Sequence, residues 1–187
     1  GVEVANLRKE YEKEAAIDGL TINVRRGETV ALLGHNGAGK TTTLSVLTAS
    51  LEATSYDTCR VGGVDLKTDP DGVRRIVACA TQADAAMDSQ LSARQNLELC
   101  TALRGVPDDR IEPLLRQLNL PLDDDTAVHT FSGGMNHRLA VAMALVGDSP
   151  IVLLDEPSSG LDPRSRRQLW SVLKAERSRG KTVLFTT

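Results

Sequence analysis

The run Thr29-Val30-Ala31-Leu32-Leu33 leads straight into Gly34-His35-Asn36-Gly37-Ala38-Gly39-Lys40-Thr41, and few folds can accommodate that order. An apolar run that stops at a glycine reads as a buried strand feeding a turn. Beyond the turn, over 41–48, Leu44, Val46 and Leu47 are expected on one buried helix face, and the polar stretch from Glu52 to Asp57 ends that pattern. The order is strand, glycine loop, helix. The segment from Gly34 to Thr41 fits G-x-x-x-x-G-K-[ST] in the context that pattern requires.

Glycines let a backbone turn its N–H groups inward around phosphate oxygens, and the helix behind them adds the positive end of its dipole. Gly34, His35, Asn36, Gly37, Ala38, Gly39, Lys40, Thr41 and Thr42 are the candidate ATP-contacting residues, with Lys40 bringing charge to the β- and γ-phosphates and Thr41 a hydroxyl for Mg²⁺. The plain alternative is a glycine-rich turn that merely caps a helix.

A second segment weighs against that alternative. Ile151-Val152-Leu153-Leu154 is an apolar strand that ends in Asp155-Glu156, the form expected of a metal-and-water site on a strand neighbouring the loop. Asp155 is the metal-side acid, and Glu156 the general base or orienting group for water. Two acids at a strand end carry no function by themselves. Here they follow the glycine loop in the order a nucleoside triphosphate site needs.

At 187 residues, 41% hydrophobic and 25% charged, the chain is ordinary for one globular domain, and no apolar run reaches the roughly 18 residues of a membrane span. A net charge of −3 with 3% aromatics supplies neither a basic stripe nor a stacking platform, so no nucleic-acid partner is expected. Gly1 to Glu10 alternates like a strand and lacks the form of a secretory signal. Cys59, Cys79 and Cys100 are too far apart for a paired framework or a close zinc motif, and read as reduced cytosolic thiols, mostly in the core.

Strand-like stretches are expected over 2–7, 20–24, 29–33, 76–80, 151–154 and 182–186. Helical periodicity runs from Leu91 to about Leu120 through Leu97, Leu99, Leu103, Ile111, Leu114, Leu115 and Leu118, broken at Gly105-Val106-Pro107. Further helices are expected over about 133–146 and 163–179. Alternating strands and helices argue for an α/β fold with a largely parallel sheet.

Phe131-Ser132-Gly133-Gly134-Met135 follows a loop and opens a helix. Alone, Ser-Gly-Gly before a helix is also what an N-cap with a flexible lead-in looks like. Placed between the glycine loop and Asp155-Glu156, and followed by Ser159-Gly160-Leu161-Asp162, it resembles the signature sequence of ABC transporter nucleotide-binding domains, with the D-loop aspartate at Asp162. The resemblance covers nearly the whole chain. It implies a P-loop NTPase core with an N-terminal antiparallel β part and a small helical signature subdomain: one ABC-type ATP-binding domain over 1–187, with a helical insert at about 88–148. It also implies ATP and Mg²⁺ as cofactors and a second ABC domain paired head to tail, so that Ser132, Gly133 and Gly134 contact ATP held at the partner's Lys40.

The same resemblance makes Tyr11 the aromatic that stacks on adenine and Gln82 the Q-loop glutamine, a catalytic and metal-side residue beside Thr41 and Asp155. A lone tyrosine in a polar segment is otherwise a surface aromatic, and Thr81 stands where the family has proline, which leaves Gln90 as another position for that glutamine. Met135-Asn136 and Ala49 also depart from the family pattern. His35, Gly147-Asp148 and Gly160 to Pro163 are similar to the ABCA lipid exporters. Leu91 to Gly105 and Pro163 to Trp170 are similar to daunorubicin-type drug exporters. The family's switch histidine or glutamine falls just after Thr187, so the resemblance implies a domain truncated at its C-terminus.

The implied function is the ATPase that powers export at the cytoplasmic face of a membrane, with transmembrane domains in the same or a separate chain. A soluble ABC ATPase acting on DNA or ribosomes is the alternative, and it lacks the basic surface or sustained heptads such proteins use. A non-hydrolysing regulatory domain is disfavoured by the presence of both Glu156 and Ser132. Replacing Lys40 by alanine removes the charge-assisted bonds to phosphate. Lys40→Ala is therefore expected to lose ATP affinity in equilibrium binding, and unchanged affinity would refute the phosphate-loop reading.

Overall fold

A computed structural model describes residues 1–12, 14–80, 87–123 and 125–187. Chain contacts divide it into two compact units. The first comprises Gly1–Cys79, Ser149–Asp155 and Arg177–Thr187, and the second Ala80–Asp148 and Glu156–Glu176.

The first unit begins with the antiparallel pair β1 (Val2–Tyr11) and β2 (Glu14–Val24), in which Val2 faces Val24 and Val4 faces Ile22. Both strands run longer than the apolar alternation suggests. Register shifts after Val4 and Leu7 carry the pairing on into polar sequence. On the other side of β1 lie the short strands β4 (Thr58–Val61) and β5 (Val64–Asp65), in the sheet order β2-β1-β4-β5. Helix α2 (Pro70–Ile76) follows, capped by the Asp69 side chain on Gly72 N–H at 2.7 Å.

The second sheet has the order β3-β8-β7-β6, from β3 (Thr29–Leu32), β8 (Thr182–Thr186), β7 (Ile151–Leu154) and β6 (Val77–Ala80). Both β3 and β7 pair with β8 in parallel. β7 is buried at every position, which is why it reads as an unbroken apolar run. The Asp155 strand therefore does not neighbour the loop strand as expected from sequence, because β8 lies between them.

Helix α1 (Lys40–Leu47) buries Leu44, Val46 and Leu47. Successive helix positions are 100° apart, so these three cannot share one face. They are all covered because one core cluster takes in residues of both sheets, including Leu7, Val24, Val61, Leu153 and Leu184. Ala49 follows with φ 57°, a left-handed backbone that usually takes glycine.

The second unit is helical. α3 (Ala93–Arg104) starts at a reciprocal capping box between Ser92 and Gln95 and stops at Gly105, whose φ of 64° suits a helix end. α4 (Ile111–Gln117) and α5 (Gly133–Val146) complete the group, and both α3 and α4 pack against α5. Leu97, Ile111, Leu114, Leu115 and Leu118 are core residues, but Leu99 and Leu103 are exposed. Leu97 and Leu99 sit 200° apart on the helix, so burying one turns the other outward. α6 (Pro163–Ser178) buries Leu169, Val172, Leu173 and Glu176.

Cys59 is buried in the core, where burial and the nearby Asp65 push its thiol up to about 11; Cys79 is half-buried and packs against the same core, and Cys100 is half-buried in the second unit. Among the described residues no helix is long and apolar enough to cross a membrane.

Arg110 holds the C-terminal end of α5. Its guanidinium donates to the Leu145 carbonyl at 2.7 Å and the Gly147 carbonyl at 3.3 Å, and pairs with Glu176 of α6 at 2.5 Å. The glutamate is 2% exposed. Removing one member of such a pair leaves a charge desolvated without its partner. Glu176→Ala is expected to lower unfolding free energy by about 3–5 kcal/mol, measured by urea denaturation.

Candidate active site

The glycine loop leaves β3 exposed to solvent over residues 34–38 and re-enters the core at Lys40, which is 7% exposed. The Lys40 ammonium folds back over the loop, donating to the Gly34 carbonyl at 2.7 Å and the His35 carbonyl at 3.2 Å. It is thus held inside the ring of residues expected to receive phosphate. Gly39 begins α1 at φ 77°, and having no side chain it leaves the first-turn N–H groups without a side-chain cap. A Cβ at this position would run into the Ala16 carbonyl oxygen of β2.

Behind the loop lies a buried carboxylate. Asp155, 3% exposed, receives the Thr41 hydroxyl on Oδ2 at 2.7 Å and the Thr186 hydroxyl on Oδ1 at 2.6 Å. Thr41 and Asp155 were both expected here. Thr186, at the end of β8, was not recognised as a site residue; the sequence offered only a polar residue closing an apolar strand.

The hydroxyl and the carboxylate are hard oxygen donors of the kind Mg²⁺ takes. Among the described residues no group of three His, Cys, Asp or Glu side chains could hold a metal.

Glu156 follows Asp155 directly and is half-buried. Its φ is 46°, and Ser159 N–H closes a turn onto its carbonyl at 2.9 Å. A non-glycine residue in this region carries about 1–3 kcal/mol of strain, a feature that clusters at functional sites.

In the second unit Ser132 and Gly133 are exposed at the start of α5, and the Ser132 side chain accepts from Met135 N–H at 3.3 Å. The N-cap geometry is therefore present, and it does not exclude an anion at the same helix end. Asp162 caps α6, accepting from Arg164 N–H at 2.9 Å and Ser165 N–H at 3.1 Å. The Ser165 hydroxyl and these N–H groups hold its carboxyl down at about 2. Tyr11 ends β1, 48% exposed as a residue, with the Lys9 ammonium 5.0 Å from its ring centre. Gln82 lies outside the described residues. The other candidate, Gln90, donates its N–H to Asp88 at 2.9 Å.

The sequence profile of the ABC transporter family matches residues 17–159. This chain belongs to that family. The ABC chain is 39% identical over 190 residues to the daunorubicin/doxorubicin resistance ATP-binding protein DrrA of Streptomyces peucetius, an alignment covering 100% of this chain and 57% of that protein. It is 38% identical over 191 residues to the phospholipid-transporting ATPase ABCA3 of Homo sapiens, covering 98% of this chain but 11% of that protein. With the human retinal-specific phospholipid-transporting ATPase ABCA4 the identity is 41% over 176 residues, or 92% of this chain and 8% of that protein. The ABC chain thus spans only part of each relative.

Among solved structures, the ATP-binding subunit of an ABC transporter superposes with a TM-score of 0.88 at 28% identity, covering 100% of this chain and 78% of that one. An ATP-binding cassette in a dimeric post-hydrolysis state, bound to ADP and Pi, superposes at 0.89 with 24% identity, covering 100% and 88%. Family and fold make this an ABC ATPase domain, and such a domain binds ATP.

The loop geometry yields a sharp test. Gly39→Ala forces a side chain into a left-handed residue, at about 1–2 kcal/mol, and against the Ala16 carbonyl. Because the strain falls at the phosphate cradle, the variant is expected to lose about tenfold or more in ATP affinity, roughly the worth of a charge-assisted hydrogen bond. Equilibrium titration with ATP checks the loss of affinity and urea denaturation the strain.

Proposed function

We propose that this chain hydrolyses ATP, with Mg²⁺, to drive export by a membrane transporter, and that it does so as half of a head-to-tail pair of ABC domains. The observation that carries the reading is the Lys40, Thr41 and Asp155 arrangement: a buried ammonium turned into a glycine loop, and a hydroxyl hydrogen-bonded to a buried carboxylate.

Thr41 and Asp155 are the described residues that would hold Mg²⁺, with Gln82 as a further ligand. Once bound, the ion neutralises charge on the β- and γ-phosphate oxygens. Lys40 gives up its loop carbonyls for phosphate oxygens, and the N–H groups of residues 34–42 surround the same anion. Glu156 accepts a proton from water as that water attacks the γ-phosphorus and the bond to ADP breaks, leaving ADP and phosphate. Tyr11, exposed beside its cationic neighbour, offers a face for adenine.

The exposed start of α5 supplies Ser132, Gly133 and Gly134 to ATP bound on the second domain. That two-sided capture is supported by the dimeric state of the cassette bound to ADP and Pi. Transmembrane domains, in this chain or another, would hold the domain at the cytoplasmic face. Drug resistance and phospholipid transport in the names of the relatives support export over a DNA or ribosome role. Substrate choice belongs to the membrane part.

An amide cannot take a proton from water. Glu156→Gln is therefore expected to keep ATP affinity while hydrolysis falls by about 10²–10⁴, read as phosphate release at saturating ATP alongside direct nucleotide titration. A variant that hydrolyses at the parent rate would remove Glu156 from the chemistry.

A further inference from the structure

Arg138 lies four residues after Gly134, one turn further along α5 on the same face. Only 9% of it is exposed, and a guanidinium stays charged at any pH a protein survives. Both acceptors it has among the described residues are neutral: the Ser165 hydroxyl at 3.2 Å and the Asn119 carbonyl at 3.5 Å. A buried charge needs a better answer than that.

The answer is found through Ser165. Arginine can only donate, so the Ser165 oxygen accepts from Arg138. The Ser165 backbone N–H donates in turn to the Asp162 carboxylate at 3.1 Å, beside the Arg164 N–H at 2.9 Å. Arg138, Ser165 and Asp162 are thus joined in series between the middle of α5 and the first turn of α6.

Packing reinforces the link. A Cβ built on Gly134 would stand 3.8 Å from the Arg138 guanidinium and 3.8 Å from Leu161 Cδ2, both ordinary contact distances. The turn at Ser132–Gly134 therefore lies close to the corner at Leu161–Asp162, and the two are joined through Arg138 and Ser165. Ser132, Gly133 and Asp162 are exposed at the surface above this buried joint.

We propose that Arg138 is a positioning residue, which through Ser165 and Asp162 locks the Ser132–Gly134 turn and the Leu161–Asp162 corner into one surface that receives the ATP of a second domain. The proposal rests on the head-to-tail reading above. It assigns Arg138 no contact with nucleotide. Its effect is to hold the helix N-terminus at a fixed angle to the corner beside it, so that docking does not have to order them first.

The test uses the full chain carrying Glu156→Gln, in which ATP persists, and sedimentation velocity with MgATP over a series of protein concentrations. Arg138→Met and Ser165→Ala are expected to need about tenfold or more protein for half-dimerisation, in line with the loss of a charge-assisted hydrogen bond. Arg138→Lys keeps a donor and a charge and should recover part of the loss. ATP affinity of the dilute monomer should be the same in all of them, because the glycine loop is untouched. Ser165→Ala removes one oxygen and no bulk, so it serves as the folded comparison should Arg138→Met lose its fold. Dimerisation of Ser165→Ala at the parent concentration would overturn the proposal, as would failure of Arg138→Lys to exceed Arg138→Met. A Glu156→Gln parent that remains monomeric at every concentration would instead overturn the head-to-tail reading, and this proposal with it.

Discussion

The buried carboxylate of Asp155 organises the first unit. A carboxylate this deep is costly to desolvate, and it persists because both oxygens are met by hydroxyls, Thr41 from α1 and Thr186 from β8. Those two bonds link the helix that follows the glycine loop to two parallel strands of the second sheet. With β8 between β3 and β7, the carboxylate at the end of β7 and the loop at the end of β3 are separated by one strand. The short Thr41 side chain spans that gap from the helix. A position that requires a carboxylate for the site is in this way also one that the fold cannot easily give up.

What could be read from the sequence divides along the same line between local and distant causes. The glycine loop, α1, α5, β7, α6 and β8 all lie where their own periodicity and caps put them, within a residue or two. The elements between Thr58 and Ile76 were not foreseen. β4 reads Thr-Cys-Arg-Val and β5 Val-Asp, too short for alternation to register; β4 exists because β1 offers it an edge, and β5 because β4 does. Leu99 and Leu103 show the opposite error, since apolar residues in a helical stretch do not all face inward. Their angular positions relative to Leu97 held that information; a count of leucines did not.

The site was legible to a similar depth. Lys40, Thr41 and Asp155 could be chosen because each sits at a fixed offset from a glycine pattern or an apolar run, and the fold brings them together. Thr186 belongs with them, yet only the pairing of β7 with β8 reveals it, across 31 positions of sequence. Arg138 was hidden more thoroughly. It occupies a helix among alanines and leucines, where arginine reads as a surface residue, and its partner Ser165 is 27 positions away on another helix. The role of a buried polar residue depends on what faces it.

The helix N-termini show how electrostatics separates structure from function in this chain. α2 begins at Asp69 and α6 at Asp162, each giving a carboxylate to the first-turn N–H groups, while α3 closes its start with the Ser92–Gln95 box. These ends are internally satisfied and repel or ignore a further anion. α1 begins at a glycine and α5 at a serine, and neither has an acidic residue in its first turn. They are the helices proposed to receive phosphate, one in each unit. For α5 the opposite end is treated in the complementary way, with the cationic Arg110 on the Leu145 and Gly147 carbonyls. A cation there neutralises the negative end of the helix dipole. The positive end is the one proposed to receive the phosphate of a second domain. An acidic cap at position 132 would bind the first-turn N–H groups more strongly than serine does, and would place a carboxylate where the phosphate of a second domain is proposed to come. Serine is the compromise that starts the helix and keeps its end available.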